Sequence, residues 1–519
     1  MSLQVQLTAP NGRQYTQPTG LFINNEFVEA KSGKTIVAID PATEKTIAEV
    51  QAAGEEDIDI AVEAARKAFE NPEWKDLDTS KRGKLLLELS VLAERDAEIL
   101  ATIDSWDNGK PYTAAMAEDV AEVISVFQYY GGWADKNHGQ MININSDKWA
   151  YTRHEPVGKI SQFTAAAAAA HHGADHHSIG VCGQIIPWNY PVMMAAWKLG
   201  PALACGNTVV LKAAEQTPLS VLCLAKLIKE AGFPAGVVNI VNGYGAEAGS
   251  AITAHPGVDK IAFTGSTITG KAIMKKASEH LKNVTLETGG KSPLIVFDDA
   301  DFEQAVKWSH GGIMGNMGQI CTATSRIFVQ DTIYEKFLEA FHEQVKSATV
   351  IGDPFDENTT HGPQVSKAQY EKILSLIEAG KSEGAGLLTG GARSGDKGFY
   401  IQPTVFRDVK PNMKIAREEI FGPCVVIAPF STEADAIESA NDTSYGLGAA
   451  VFTENLRKAH RVAAGVQAGT VWINSSQDTQ YGVPFGGYKQ SGIGRELGSY
   501  ALSAYTQVKT VHVNMGMQL

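Results

Sequence analysis

Three residues of this chain combine a side-chain type and a setting suited to carbonyl chemistry. Cys321 lies in GNMGQICTATSR, between glycines and small polar residues. A thiol in such a loop can be reached by a substrate, and its thiolate is a nucleophile; it can equally be an accessible thiol with no role. Glu287 ends the apolar run NVTLE and precedes Thr-Gly-Gly-Lys. A carboxylate at a strand end beside a glycine turn can act as a general base, or simply be a solvated turn acid. Asn189 lies in IIPWNYP between two prolines, where its amide can donate to an oxyanion or merely shape the turn. The other four cysteines, at 182, 205, 223 and 424, sit in apolar runs or beside helical patterns and read as small buried hydrophobes.

The elements that must position these groups follow from periodicity. Residues 55–70 place Ile58, Ala61, Ala65 and Ala68 on one helical face. A second helix follows the Thr79–Ser80 start signal with Leu85, Leu86, Leu89 and Leu92, and the segment 113–135 reads as a third. From Val181 the pattern changes to short apolar runs, VCGQII (181–186), TVVL (208–211), VVNIV (237–241) and KIAF (260–263), separated by helix-like stretches. One stretch begins at Thr217-Pro218 and ends near Gly232, with Thr217 expected as N-cap, Pro218 in the first helical position and Gly232 just past the end. Continuous apolar strands alternating with helices imply a parallel sheet covered on both faces. That is a nucleotide-binding type of architecture, although the G-x-G-x-x-G loop is absent. A second αβ-rich region spans about 291–490, and AYTQVKTVHV (504–513) alternates like an exposed strand.

The bulk properties narrow the class. A chain of 519 residues implies two or three domains, and 44% hydrophobic with 20% charged residues is the balance of a soluble globular protein. The formal charge of -13 disfavours nucleic acid and anionic membranes as partners. Five cysteines without a C-x-x-C spacing indicate a reducing compartment. No apolar run of 18 residues occurs, so no membrane span is expected. The N-terminus has no acid before Glu26 and only Arg13 as a base, too few for a targeting helix, so a cytoplasmic location is expected.

Seven segments in order, PWNYP (187–191), KAAEQTP (212–218), FTGST (263–267), LETGGKSP (286–293), GQICTATSR (318–326), EEIFGP (418–423) and PFGGYKQSGIGRELG (484–498), resemble the aldehyde dehydrogenase superfamily from about Leu21 to the C-terminus. The overall look is similar to general fungal-type cytosolic enzymes. The resemblance implies an α/β fold: a Rossmann-type parallel-sheet cofactor domain (1–140 and 181–289), an α/β catalytic domain (290–490) and a small β oligomerisation element (141–158 and 504–519). It implies NAD-dependent oxidation of an aldehyde through a thioester. Cys321 would be the nucleophile, Asn189 with the Cys321 backbone N–H the oxyanion donors, and Glu287 the base for hydrolysis. Lys212 and Glu215 would hold the adenosine ribose, Gly265 and Ser266 the pyrophosphate, Glu419 and Phe421 the nicotinamide end, with Ile185 and Trp188 also at the cofactor. A carboxylate at 215 accepts a bond from a ribose 2′-OH and repels a 2′-phosphate, which favours NAD over NADP. Tyr190, Met194, Trp197 and Phe485 would line a tunnel to Cys321; their alternative reading is ordinary packing. No arginine or carboxylate stands among these four, which favours an uncharged aldehyde such as acetaldehyde. Relatives with this arrangement are tetramers, and the 504–513 strand would serve the subunit contact. No metal is expected.

One segment does not fit. Where the family pattern runs EPVG-VCGQIIPWNYP without interruption, residues 159–180 (KISQFTAAAAAAHHGADHHSIG) intervene, with a run of six alanines and four histidines. HH-x-x-x-HH in an unpatterned loop reads as a solvated, unliganded run. Gly158-Lys159 can be encoded GGU-AAG and Ile179-Gly180 AUA-GGU, giving a splice donor and acceptor, so a retained in-frame intron is the reading adopted; a natural loop insertion is the alternative. Two rival functions stand beside the dehydrogenase: a non-catalytic relative, opposed by intact Cys321, Glu287 and Asn189, and a member that passes its acyl group to CoA, opposed by Glu287.

Overall fold

The computed structural model describes residues 3–156 and 180–518. Segment 159–179, with its histidine run and the intron reading attached to it, lies outside the described residues.

The apolar runs after Val181 form the centre of an eight-stranded sheet. Its order is Gly492–Ile493, Asn283–Glu287, Lys260–Thr264, Val181–Ile185, Thr208–Lys212, Val238–Val241, Leu21–Ile23 and Glu26–Val28. The five strands from Asn283–Glu287 to Val238–Val241 are mutually parallel. The outer ones are antiparallel. Every residue of Val181–Ile185, Thr208–Lys212 and Val238–Val241 is buried, which is why these strands read as unbroken apolar runs. The helix Glu55–Glu70 buries Ile58, Ala61, Ala65 and Ala68, and Thr79–Arg95 buries Leu86, Leu89 and Leu92.

A seven-stranded sheet follows, in the order Gly386–Thr389, Thr404–Arg407, Cys424–Phe430, Arg326–Gln330, Pro293–Val296, Gly448–Phe452 and Thr470–Ile473, parallel except for the first pair. The alternating tail forms Thr506–Asn514, which pairs antiparallel with Lys148–Pro156; Met141–Asn145 completes that three-stranded sheet.

Three features depart from expectation. Thr217 does not cap the helix Leu219–Glu230; its hydroxyl is 3.4 Å from the Trp188 carbonyl. Gly232 does end that helix, at φ +87°. The third helix is not continuous: Tyr112–Ala114 leads into a π-turn at Ala115–Val120 before the α-helix Ala121–Trp133. Two hairpins, Gln4–Thr8 with Gln14–Pro18 and Thr35–Asp40 with Lys45–Gln51, had no apolar stripe long enough to announce them.

The chain on either side of the undescribed segment converges. A Cβ on Gly206 would lie 3.5 Å from the Pro156 ring, and two residues on Thr208 N–H donates to the Gly180 carbonyl at 3.0 Å. Gly180 and Val181 donate their N–H groups to Asp259 at 2.7 and 2.9 Å, and Arg66 pairs with the same carboxylate at 2.6 Å. The first strand of the parallel set is thus anchored at its first residues.

Candidate active site

A cavity of about 720 Å³ runs along the C-terminal ends of the parallel strands, where open α/β sheets place their ligands. Trp188, Asn189, Tyr190, Met194, Trp197, Gly265, Ser266, Glu287, Cys321, Glu419, Phe421 and Phe485 all line it. Ile185, Lys212 and Glu215 are not in its wall. Ile185 and Lys212 end adjacent strands and both approach Gly249, while the Lys212 ammonium is 3.3 Å from Glu215.

The loop carrying Asn189 is fixed through its carbonyls. Asn108 donates to the Trp188 carbonyl at 2.8 Å, and Asn316 donates to the Asn189 carbonyl at 3.0 Å. Pro191 then occupies the first turn of the helix Pro191–Ala204, where its missing N–H costs nothing. The Asn189 amide donates one N–H to the Gln319 carbonyl at 2.9 Å, two residues before the thiol, and has a second N–H to offer.

Cys321 follows a sharp turn. The helix Phe302–Met314 ends, and Asn316 (φ 42°), Met317 (φ 55°) and Gly318 (φ 71°) run through left-handed conformations in succession. Cys321 is half-buried, and Cys182, Cys205, Cys223 and Cys424 are buried. Burial, then the charges of Glu287 and Glu419, push the Cys321 thiol up to about 12, while the N–H groups of Thr322 and Cys321 work in the opposite direction. The backbone of Cys321 packs so closely on the glycine turn that a Cβ on Gly290 would sit 2.3 Å from its carbonyl oxygen.

Glu287 ends its strand opposite Thr264 and is 3% exposed. Neither carboxylate oxygen has a hydrogen-bond partner among the described residues. Burial, then the charge of Glu496, hold its ionisation well above the usual carboxylate range, against Lys198 and Arg495. Lys198 bridges this region: its ammonium is paired with Glu496 and donates to Thr264 at 2.7 Å. A lone lysine inside the apolar helix stretch AAWKLGPALA was the available signal for this pair, and sequence reasoning missed it.

The other end of the cavity suits a dinucleotide. Ser266 caps the helix Thr267–Ala277, accepting from Thr269 N–H at 3.2 Å. The helix N-terminus therefore faces the cavity with its partial positive charge. Glu419 accepts from Gly290 N–H at 2.8 Å and is raised to about 7, chiefly by burial. The Trp188 and Phe421 rings meet edge to face with centroids 5.2 Å apart.

A sequence profile described as the aldehyde dehydrogenase family matches residues 27–169 and 164–511, two stretches that overlap at 164–169, within 159–180. An aldehyde dehydrogenase of Emericella nidulans is 54% identical over 504 residues, covering 97% of this chain and 96% of that one. One from Aspergillus niger is 53% identical over 511 residues, covering 98% of each. The structure of the NAD+ complex of aldehyde dehydrogenase from Bacillus cereus superposes with a TM-score of 0.91 at 50% identity, covering 96% of this chain and 97% of that one.

Proposed function

Because the chain belongs to the aldehyde dehydrogenase family, we propose that its cavity oxidises an aldehyde to the carboxylate on Cys321, with NAD as the cofactor. The observation that carries this reading is the meeting of Cys321, the amide of Asn189 and the unpartnered carboxylate of Glu287 around one cavity. The Cys321 thiol gives up its proton to water as its sulfur attacks the carbonyl carbon, and the free N–H of Asn189 with the Cys321 backbone N–H take up the oxyanion charge. NAD, when bound, supplies the hydride acceptor that leaves a thioester on the sulfur. Glu287 then takes a proton from water, which attacks the thioester and releases the carboxylate and the thiol. A carboxylate with two buried, unbonded oxygens is well placed to hold that water.

Ser266, Gly265 and the helix behind them hold the pyrophosphate, Lys212 and Glu215 the adenosine ribose, and Glu419 the nicotinamide ribose. Phe421, Trp188 and Ile185 supply apolar contact at that cofactor. Small uncharged aldehydes such as acetaldehyde reach the thiol past Tyr190, Met194, Trp197 and Phe485. The eight-stranded sheet (1–140 and 181–289) serves as the cofactor domain and 290–490 as the catalytic domain. The exposed strands within 141–158 and 504–519 provide the contact of a homotetramer, and the protein works in the cytoplasm. Among the described residues no helix is long and apolar enough to cross a membrane.

The test is Glu287→Gln mixed with NAD and an aldehyde. Mass spectrometry is expected to find an acyl group on Cys321 after one equivalent of NADH has formed. NADH formation with no adduct at Cys321, or an adduct elsewhere, overturns the assignment.

A further inference from the structure

The cavity wall also carries two acids near Tyr190 and Trp197. Glu118 and Glu122 line it, four residues apart across the junction of the π-turn Ala115–Val120 and the helix Ala121–Trp133. A π-turn inserts an extra residue into the helical register and is used where side chains must be re-aimed. Facing these acids are aromatic and thioether side chains, Tyr190, Met194, Trp197 and Phe485, with Trp197 and Phe485 edge to face at 5.2 Å.

The positions of the acids follow from what they act on. The Trp197 indole N–H and Glu122 are close enough to influence each other, and the Glu122 Oε1 is buried without a hydrogen-bond partner. Tyr190 is half-buried, and its phenol feels Glu118, Asp119 and Cys321 together, so one ring lies within range of both Glu118 and the thiol. The nearby cation Lys110 is already spent: it is buried in an ion pair with Asp119 and lies 3.9 Å from the centroid of the Tyr190 ring. Among the described residues neither Glu118 nor Glu122 forms an ion pair. Among the described residues no arginine or histidine lines the cavity, and the one lining lysine, Lys372, stands with Gln369, Glu419 and Phe421 at the cofactor end. Burial raises both acids, Glu122 to about 7, and a cation placed beside them and the aromatic rings would favour their charged forms and be held by them.

We propose that this wall selects aldehydes carrying a positive charge a few bonds from the carbonyl, an ammonium or quaternary ammonium aldehyde, whose cationic end sits between Glu118, Glu122 and the rings of Tyr190 and Trp197. The proposal rests on the aldehyde-oxidising reading above. Small uncharged aldehydes occupy only the Cys321 end and leave the acids unanswered. A cationic aldehyde satisfies both ends, and an anionic one is repelled.

The test compares quaternary ammonium aldehydes with their carbon isosteres, which have the same shape and no charge. Trimethylammonio aldehydes with chains of two to four carbons are paired with the matching tert-butyl aldehydes, and NADH formation gives kcat/KM for each. At the best-fitting length the cation is expected to be favoured by at least about tenfold. That ratio is expected to fall by about tenfold or more in Glu118→Gln/Glu122→Gln, and partly in each single variant. Because the ratio is internal to each preparation, incomplete folding of a variant does not alter it. A ratio at or below one at every chain length overturns the proposal, as does a preference that survives in the double variant. Turnover of acetaldehyde but of neither member of any pair overturns this inference alone; turnover of no aldehyde, acetaldehyde included, overturns the dehydrogenase reading on which it rests.

Discussion

Replacing Gly318 by alanine should disable the site without unfolding the protein. Gly318 has φ +71°, and a Cβ there would lie 2.1 Å from the Gly422 carbonyl oxygen, 2.2 Å from its carbon and 2.7 Å from Pro423 N. All three are backbone atoms, so no side-chain rotation relieves the overlap. Restoring an ordinary contact of about 3.5 Å requires one loop to retreat by roughly 1.4 Å. The left-handed conformation adds about 1–2 kcal/mol for a residue with a side chain. Gly318 is three residues before Cys321 and Gly422 directly follows Phe421, so the retreat separates the thiol from the cofactor end of the cavity. A misplacement of about 1 Å at reacting groups costs on the order of 10²-fold. We therefore expect Gly318→Ala to lower kcat/KM about 100-fold, equivalent to about 2.7 kcal/mol. Stopped-flow NADH formation measures the loss, the rate of iodoacetamide reaction at Cys321 reports the thiol's position, and circular dichroism checks the fold. A folded variant within about threefold of wild type in both rates would refute the reasoning.

Cys321→Ala is expected to abolish aldehyde oxidation while NAD affinity, read by fluorescence titration, stays within about a few fold, because the sulfur forms the covalent bond to substrate. Glu496→Gln should move the acid limb of the pH–rate profile to lower pH. Glu287 must be ionised to act as a base, and burial and then Glu496 raise its pKa, so turnover rises with pH through that raised value; removing the Glu496 charge lowers it and frees Lys198 to stabilise the Glu287 anion. An unmoved or upward-moving limb contradicts the coupling. Asp259→Ala removes the acceptor of Gly180 N–H, Val181 N–H and Arg66, leaving a largely buried guanidinium unpaired, and is expected to destabilise the fold by about 3–5 kcal/mol in denaturant titration. Deleting 159–180 with a joining glycine is expected to leave activity intact or improved and to raise the melting temperature, since the flanking chain already converges on residues 206–208; loss of activity in a folded deletion assigns that segment a function.

The parallel strands were legible because burial on both faces forces unbroken apolar runs, and Gly232 because a left-handed helix end favours glycine. Cys321, Glu287 and Asn189 were legible through their motifs, and the structure brings all three to one cavity. Other parts depend on contacts that no local pattern records. Lys198 and Glu496 are 298 residues apart and meet only because the helix Pro191–Ala204 and the chain following the edge strand Gly492–Ile493 fold onto the same sheet. The π-turn leaves a sequence that still reads as one helix, so nothing in it singled out the acids at 118 and 122. The expectation of an uncharged substrate rested on Tyr190, Met194, Trp197 and Phe485 alone, which form only part of that wall. Thr217 has the composition of a cap, but its hydroxyl faces the Trp188 carbonyl, a tertiary partner invisible from residues 217–232.

The convergence of Pro156 and Gly180 on one short stretch also makes this junction a port. A chain can leave the fold at 156 and return at 180 without either large sheet having to move, because Asp259 and Arg66 hold the returning end from the inside. Lengthening what lies between costs only about 0.6 kcal/mol for each doubling. A foreign domain whose own termini lie close together can therefore be grafted there. Asn189 lies nine residues beyond Gly180, in the loop that follows the strand the graft would pull, so NADH production would register force or ligand binding in the guest.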